Sequence, residues 1–163
     1  MPKPIFIICS SSASTDVETR FLSVFQIIEK FLLSEIPPPP TDDQKILLVR
    51  ANPIFVFATW MIEQGDSHED DFEHELQFLA PGTGELIAGA QNTFRFSRPD
   101  ERKSFQRFSG RFEMPPMLKD EGILWVVSRV RKAGETEWIK QEYPIIVEKR
   151  DHSAPPSTDQ LPT

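Results

Sequence analysis

Phe72-Glu-His-Glu-Leu-Gln-Phe-Leu79 alternates without a break through Phe78. Phe72, His74, Leu76 and Phe78 fall on one side of an extended chain, and Glu73, Glu75 and Gln77 fall on the other. Side chains of a β-strand repeat every two residues, so this stretch predicts a strand with one dry face and one wet face. Ala80-Pro-Gly-Thr-Gly-Glu85 follows as a turn, because proline fixes φ and glycine permits positive φ. Leu86–Phe96 then returns as a second strand, with Leu86, Ala88, Ala90, Phe94 and Phe96 in phase. Gly89 inside it marks a bulge or a close backbone approach.

The flanking sequence carries the same signature. Ile54–Ile62 is apolar on both faces, with Ile54, Val56, Ala58 and Trp60 opposing Phe55, Phe57 and Met61. That predicts a central strand covered on both sides. Phe105–Phe112 is a further strand, stopped by Met114-Pro115-Pro116. Ile123–Val130 and Trp138–Glu148 form a hairpin around the glycine-containing loop 132–137. Near the start, Ile5–Cys9 reads as a strand and Ser10–Thr15 as a polar linker.

Residues 21–33 read two ways. Phe21, Val24, Phe25, Ile28, Phe31 and Leu32 would line a helix, with Thr15 and Glu18 at capping-box spacing. Phe21, Phe25, Ile27, Phe31 and Leu33 would line a strand, in a segment rich in β-formers. Pro37–Pro40 is a stiff polyproline run that no central strand can contain, and Ile46–Val49 is a short apolar run. Residues 151–163 lack an apolar anchor and read as a disordered tail, leaving one domain over 1–150. Many strands joined by short turns, with at most one short helix, predict an all-β antiparallel β-sandwich, immunoglobulin-like or C2-like.

Composition bounds the function classes. With 163 residues, thirteen Phe and three Trp, the chain can bury a core without disulfides or a structural metal. Acids outnumber bases 25 to 18, a formal net charge of -7, which argues against nucleic acid as partner. The local basic run Arg95, Arg98, Arg102, Lys103, Arg107, Arg111 is diluted by Asp100 and Glu101 and reads as the wet side of a strand and loop. Cys9 is the only cysteine, so no disulfide forms within the chain and a reducing, cytoplasmic setting is expected. The apolar run after Lys3 spans only about five residues, shorter than a secretory h-region. No stretch approaches the roughly 20 apolar residues of a membrane span.

An early hydrophobic strand ends near Cys9, and Phe21-Leu-Ser-Val-Phe-Gln-Ile-Ile28 and a Pro-rich passage follow. Next comes an acidic, His-containing loop, Glu63-Gln-Gly-Asp-Ser-His68, leading to Glu75-Leu-Gln-Phe-Leu79, and a closing hairpin of 123–131 with 138–148. Over residues 5–149 this order resembles a family of small uncharacterised bacterial β-sandwich proteins. The resemblance implies a sandwich fold and turns 21–33 toward strand. It implies no reaction and no catalytic residue. The chain departs from that family's pattern in its strongly acidic 64–71 loop and its Pro37–Pro40 run.

Candidate chemistry is sparse. Asp66, His68, Glu69, Asp70 and Asp71 crowd one loop, and hard cations such as Ca2+ take several oxygen ligands. EF-hand spacing is absent, and solvated hairpin tips are commonly charged. His68 and His74 with Glu69 or Glu73 are possible zinc ligands by type, but His74 shares a face with Phe72, Leu76 and Phe78 and reads as a hydrogen-bonded core histidine. Cys9-Ser-Ser-Ser12 lacks the Arg that a phosphatase-like cradle places six positions on, where Thr15 stands, so Cys9 reads as a buried thiol. There is no Gly-x-Ser-x-Gly elbow, and Gly82-Thr-Gly84 is too short to cradle phosphate. Trp60 and Trp125 lie in apolar strands and read as core. Trp138, at a strand start, is the candidate for an exposed ligand-stacking ring.

The favoured expectation is a non-catalytic binding module whose partner is another protein, added along an exposed strand edge. The alternatives are a divalent-cation-dependent ligand-binding module using 66–71, and a hydrolase with a dispersed site built on His68, His74 or His152.

Overall fold

The structure is a computed structural model that describes residues 1–15, 22–33, 53–62, 69–96, 104–112, 118 and 120–149. Those residues form strands and no helix: β1 (Lys3–Thr15), β2 (Leu22–Ile27), β3 (Lys30–Leu33), β4 (Ile54–Ile62), β5 (Phe72–Leu79), β6 (Leu86–Phe94), β7 (Ser104–Phe112), β8 (Gly122–Lys132) and β9 (Ile139–Lys149). Two sheets result, ordered β2-β1-β4-β7 and β3-β9-β8-β5-β6. The all-β sandwich expected from the alternation is therefore present. Every pairing is antiparallel except β3 with β9, which run parallel, so the second sheet is mixed.

That parallel pair comes from one run of chain serving both sheets. β2 pairs with β1 in the first sheet, and β3 begins two residues after β2 ends, beside β9 in the second. The bend includes Gln26 at φ 54, a left-handed conformation that few non-glycine residues adopt. Ser11 Oγ donates to Gln26 Oε1 at 2.7 Å, tying the bent residue to β1. Ile28 N–H donates to the Cys9 carbonyl at 2.9 Å, and Ile146 N–H donates to the Glu29 carbonyl at 2.8 Å. Tyr143 O–H donates to the Ile28 carbonyl at 2.9 Å. The sheets are stitched together by hydrogen bonds along this corner.

Within 22–33 the chain is strand at Leu22–Ile27 and Lys30–Leu33, with no helix, and the bend between them explains why the single strand face expected there does not hold. Phe31 and Leu33 are buried, whereas Phe25 and Ile27 are 53% and 52% exposed. The chain changes sheets between them, so a phase that is correct within each strand does not carry across. The expected polar linker at 10–15 is instead the second half of β1, with Ser12 opposite Phe25 and Ser14 opposite Ser23. Ladder bonds use the backbone, so small polar residues do not prevent them.

β5 behaves as its alternation requires, with Phe72, His74, Leu76 and Phe78 buried. The inward phase of β8 is Leu124, Val126, Ser128 and Val130, all buried. Trp125 is out of that phase and lies 37% exposed on the outer side opposite Pro144 and Leu79, contrary to its reading as core. β4 is internal to its sheet and buried on both faces, with Ile54, Val56, Ala58, Trp60 and Ile62 on one side and Phe57 and Thr59 on the other. Gly89 is a close approach and not a bulge: a Cβ there would lie 2.8 Å from the Leu76 carbonyl oxygen. The register shift falls instead between Phe78 and Leu79. Pro37–Pro40, the 46–49 run and the 151–163 tail lie outside the described residues.

Candidate functional site: the seam between two free strand edges

On the side away from the stitched corner, β6 and β7 are the outermost strands of their sheets. Among the described residues nothing pairs with the outer edge of either. Between them lies a cleft of about 400 Å³ lined by His74, Asn92, Phe94, Arg107, Phe108 and Gly110, among others. Gly110 keeps its wall open, since a Cβ there would meet the Phe112 ring at 2.8 Å and Leu76 Cδ2 at 3.3 Å.

The cleft floor is aromatic and rests on a buried polar chain. His74 stacks on Phe108 with ring centres 3.8 Å apart and planes 9° apart. Phe94 meets Phe108 edge-on at 4.7 Å. Below His74, Trp60 Nε1 donates to Ser128 Oγ at 3.1 Å, Ser128 Oγ lies 2.9 Å from His74 Nε2, and His74 Nδ1 lies 3.0 Å from Asn92 Oδ1. Donor counting assigns the protons. The indole can only donate, so Ser128 Oγ accepts from Trp60 and gives its single hydrogen to Nε2. Nδ1 then carries the ring proton and donates to Asn92. Burial of this ring, partly offset by the Asn92 hydrogen bond and Glu75, lowers the His74 pKa to about 4. The imidazole is neutral at pH 7.

Ser128, His74 and Asn92 thus share the order of a nucleophile, a base and an orienting group. The setting does not suit acyl transfer. Ser128 and Trp60 are both 0% exposed, and the serine oxygen is already engaged on both sides. An attacking oxygen must come within about 3–3.5 Å of a substrate carbon, and this one faces the core. The chain of bonds is a satisfied polar network that holds β4, β5, β6 and β8 in register.

The residues singled out from sequence are dispersed. Asp66 and His68, like His152, lie outside the described residues. Asp70 Oδ2 is ion-paired with Lys132 Nζ at 2.7 Å. Asp71 forms a two-pronged pair with Arg95, which holds its carboxyl below the usual range. Glu69 is exposed. Among the described residues no three His, Cys, Asp or Glu side chains gather to hold a metal ion. Of the basic run, Arg95 is thus committed to Asp71, Arg107 and Arg111 lie on β7, and Arg98, Arg102 and Lys103 lie outside the described residues. Cys9 is fully buried, and desolvation pushes its thiol up to about 12. No helix of the described residues is long and apolar enough to cross a membrane.

Trp138 is half-buried on the outer face of the second sheet. Its ring centre lies 4.5 Å from the Arg129 guanidinium carbon and 4.4 Å from that of Arg131. Those guanidinium groups pair in turn with Glu75 and Glu73 at 2.5 and 2.6 Å. The ring is therefore already stacked on cations.

Asn92 and Ser128 escaped the sequence reading, while Arg107 and Phe108 entered it only as part of the basic run and its aromatic neighbours. Both of the missed residues left a legible sign: Asn92 interrupts an apolar phase on β6, and Ser128 does so on β8. A polar residue at an inward position calls for a partner. No protein-family model, no curated protein and no solved structure matches this chain.

Proposed function

We propose that this protein is a non-catalytic interaction module that receives an extended segment of another protein along the free edge of β6. One observation carries the reading. Leu86-Ile-Ala-Gly-Ala-Gln-Asn-Thr-Phe94 contains no Lys, Arg, Asp, Glu or Pro. Strand edges in folded proteins are normally guarded by charges, proline, bulges or a covering element, because bare backbone donors and acceptors recruit foreign strands. In a chain with 26% charged residues, a nine-residue strand would on average hold about two charges. β6 holds none, is mostly exposed and has a free edge among the described residues. Main-chain hydrogen bonds to such an edge give affinity, and the neighbouring cleft receives alternate side chains.

Selection from a displayed library of random peptides, followed by amide hydrogen exchange on the selected complex, tests the reading. New protection is expected within residues 86–94. The substitution Ala90→Lys places a guarding charge on an exposed β6 position and is expected to weaken binding at least tenfold with the melting temperature nearly unchanged. Protection confined to other strands, or full binding by Ala90→Lys, would contradict it.

A further inference from the structure

We propose that the outer face of the second sheet is a second docking surface, which takes a segment of another protein that sets a lysine or arginine beside a large apolar side chain. It is separate from the β6 edge and does not depend on strand addition there. The surface begins with a run of cross-strand neighbours. Leu124, Val126 and Ser128 of β8 face the core, so the alternating Ile123 and Trp125 face outward. Ile123 stands opposite Ile146 of β9, Trp125 opposite Leu79 of β5, and Leu79 opposite Leu86 of β6. The Leu86 side chain reaches over this same face, with its Cδ1 3.7 Å from where a Cβ at Gly89 would stand. Directly opposed side chains on one face touch, so these five residues make one apolar patch across four strands. Ile123, Trp125, Ile146 and Leu86 are all exposed, and Leu79 is half-buried. Single exposed apolar residues are ordinary, whereas a contiguous set marks a surface that another molecule covers. A tryptophan at its middle is the residue type that most often anchors an interface.

Charge says what covers it. Toward Trp138 the same face carries the Arg129–Glu75 and Arg131–Glu73 pairs, which neutralise one another. Lys30 of β3 is held by Glu148 at 2.8 Å, and Lys140 of β9 by Glu142 at 2.7 Å. Carboxylates without a cation stand at the Leu86 end. There a cavity of about 220 Å³ has Pro81, Leu86, Ile87 and Leu118 on its apolar wall, and Glu85 and Asp120 on its polar one. Among the described residues neither of these two carboxylates has an ion pair or a hydrogen bond. Such a recess fits a cationic side chain, whose methylene stem lies on the apolar wall while its head reaches the acids. Leu86 belongs to both the cavity and the patch, so one short segment can set an apolar anchor on Trp125 and a cation between Glu85 and Asp120. A second copy of this chain brings the same acidic cavity and a net charge of -7, and its approach is repelled. An anionic bilayer is repelled for the same reason.

In the test, peptides are selected from a displayed random library on the full chain. Those that still bind the Ala90→Lys chain are kept, which sets aside any strand addition at β6. The kept peptides are expected to carry Lys or Arg close to Leu, Ile, Phe or Trp. Made synthetically and read by fluorescence anisotropy, they are expected to lose about thirtyfold in affinity on Trp125→Ala, the scale of an aromatic anchor. Glu85→Gln with Asp120→Asn is expected to cost about fivefold, the scale of two partly exposed ion pairs. Replacing the peptide's own Lys or Arg by Gln is expected to cost the same against the natural chain and nothing against that double variant. Where Trp125→Ala destabilises the chain, Ile146→Ser, at an exposed position of the same patch, is expected to weaken binding about tenfold. Recovery of no peptide, or of neutral or acidic ones, overturns the proposal, as does binding that both Trp125→Ala and Ile146→Ser leave intact. Binding that the double variant leaves unchanged overturns the cation's place in the cavity. Dimerisation in sedimentation that Trp125→Ala abolishes, or binding to phosphatidylcholine vesicles in place of peptide, gives the face to another occupant and overturns the proposal too.

Discussion

His74 is where a sequence position became a physical statement. As a member of an alternating apolar face it reads as a core histidine, and it is one: 4% exposed, stacked on Phe108 and bonded through both ring nitrogens. The consequence is a pH dependence of stability. An unfolded histidine takes up its proton near 6.5, while the folded ring does so only near 4. Between those values the unfolded state holds more protons, so stability falls as pH falls through that window. The depressed pKa corresponds to a loss on the order of 2–3 kcal/mol by pH 4. Urea unfolding at pH 7, 5.5 and 4.5 is expected to show this slope, and His74→Gln is expected to flatten it while lowering stability at pH 7. An identical slope in the variant would assign the effect to carboxylates elsewhere. The partners of His74 were harder to read. Ser128 lies 54 residues away and Asn92 lies 18 away, and a single polar residue in an apolar phase says that it needs a partner without saying which.

At the scale of elements, alternation was a sound guide wherever a strand stays in one sheet. β5, β8 and β9 are found close to their expected bounds, and β6 is correct apart from its last two residues. It failed at the bend between β2 and β3, where Gln26 takes a left-handed conformation and the chain changes sheets. No periodicity crosses such a point, since the inward direction is redefined by the second sheet. Gly89 shows the opposite case, a local residue choice dictated by a neighbouring strand. A Cβ at Gly89 would press on the Leu76 carbonyl at 2.8 Å, and backbone cannot swing aside as a long side chain can. Gly89→Ala is therefore expected to destabilise by about 1–3 kcal/mol, the range of overpacking, as read by chemical denaturation. A cost near zero would mean that β5 and β6 separate freely at that point.

At the scale of the whole molecule, the described residues form a sandwich joined along one side and, among themselves, unpaired along the other. The joined side uses the Cys9–Ile28 and Glu29–Ile146 backbone bonds, and the unpaired side is the β6–β7 seam. Most strand neighbours are distant in sequence: β3 pairs with β9, and β5 pairs with β8. Such non-local pairing must meet loop-closure entropy before any contact forms, so refolding is expected in the millisecond-to-second range typical of all-β domains. Stopped-flow fluorescence of the buried Trp60 would read it, and a microsecond phase carrying the full amplitude would contradict the assigned topology. The unguarded β6 edge belongs to this scale too, because exposure of an edge is a property of sheet order and not of any residue in it.

The sequence by itself determined that the chain is all-β and which residues of β5 face inward, and it left Gly89 between a bulge and a close approach. The first two follow from a period of two, a local quantity. Only the tertiary structure decided that β3 runs parallel to β9, that Trp125 faces outward while Trp60 is enclosed, that Ser128, His74 and Asn92 form one chain of hydrogen bonds, and that β6 and β7 bound a common cleft with Arg107 at its wall. These depend on which strands pair and in what register. That choice is made by the summed burial of many residues far apart in the chain, and no short stretch contains it.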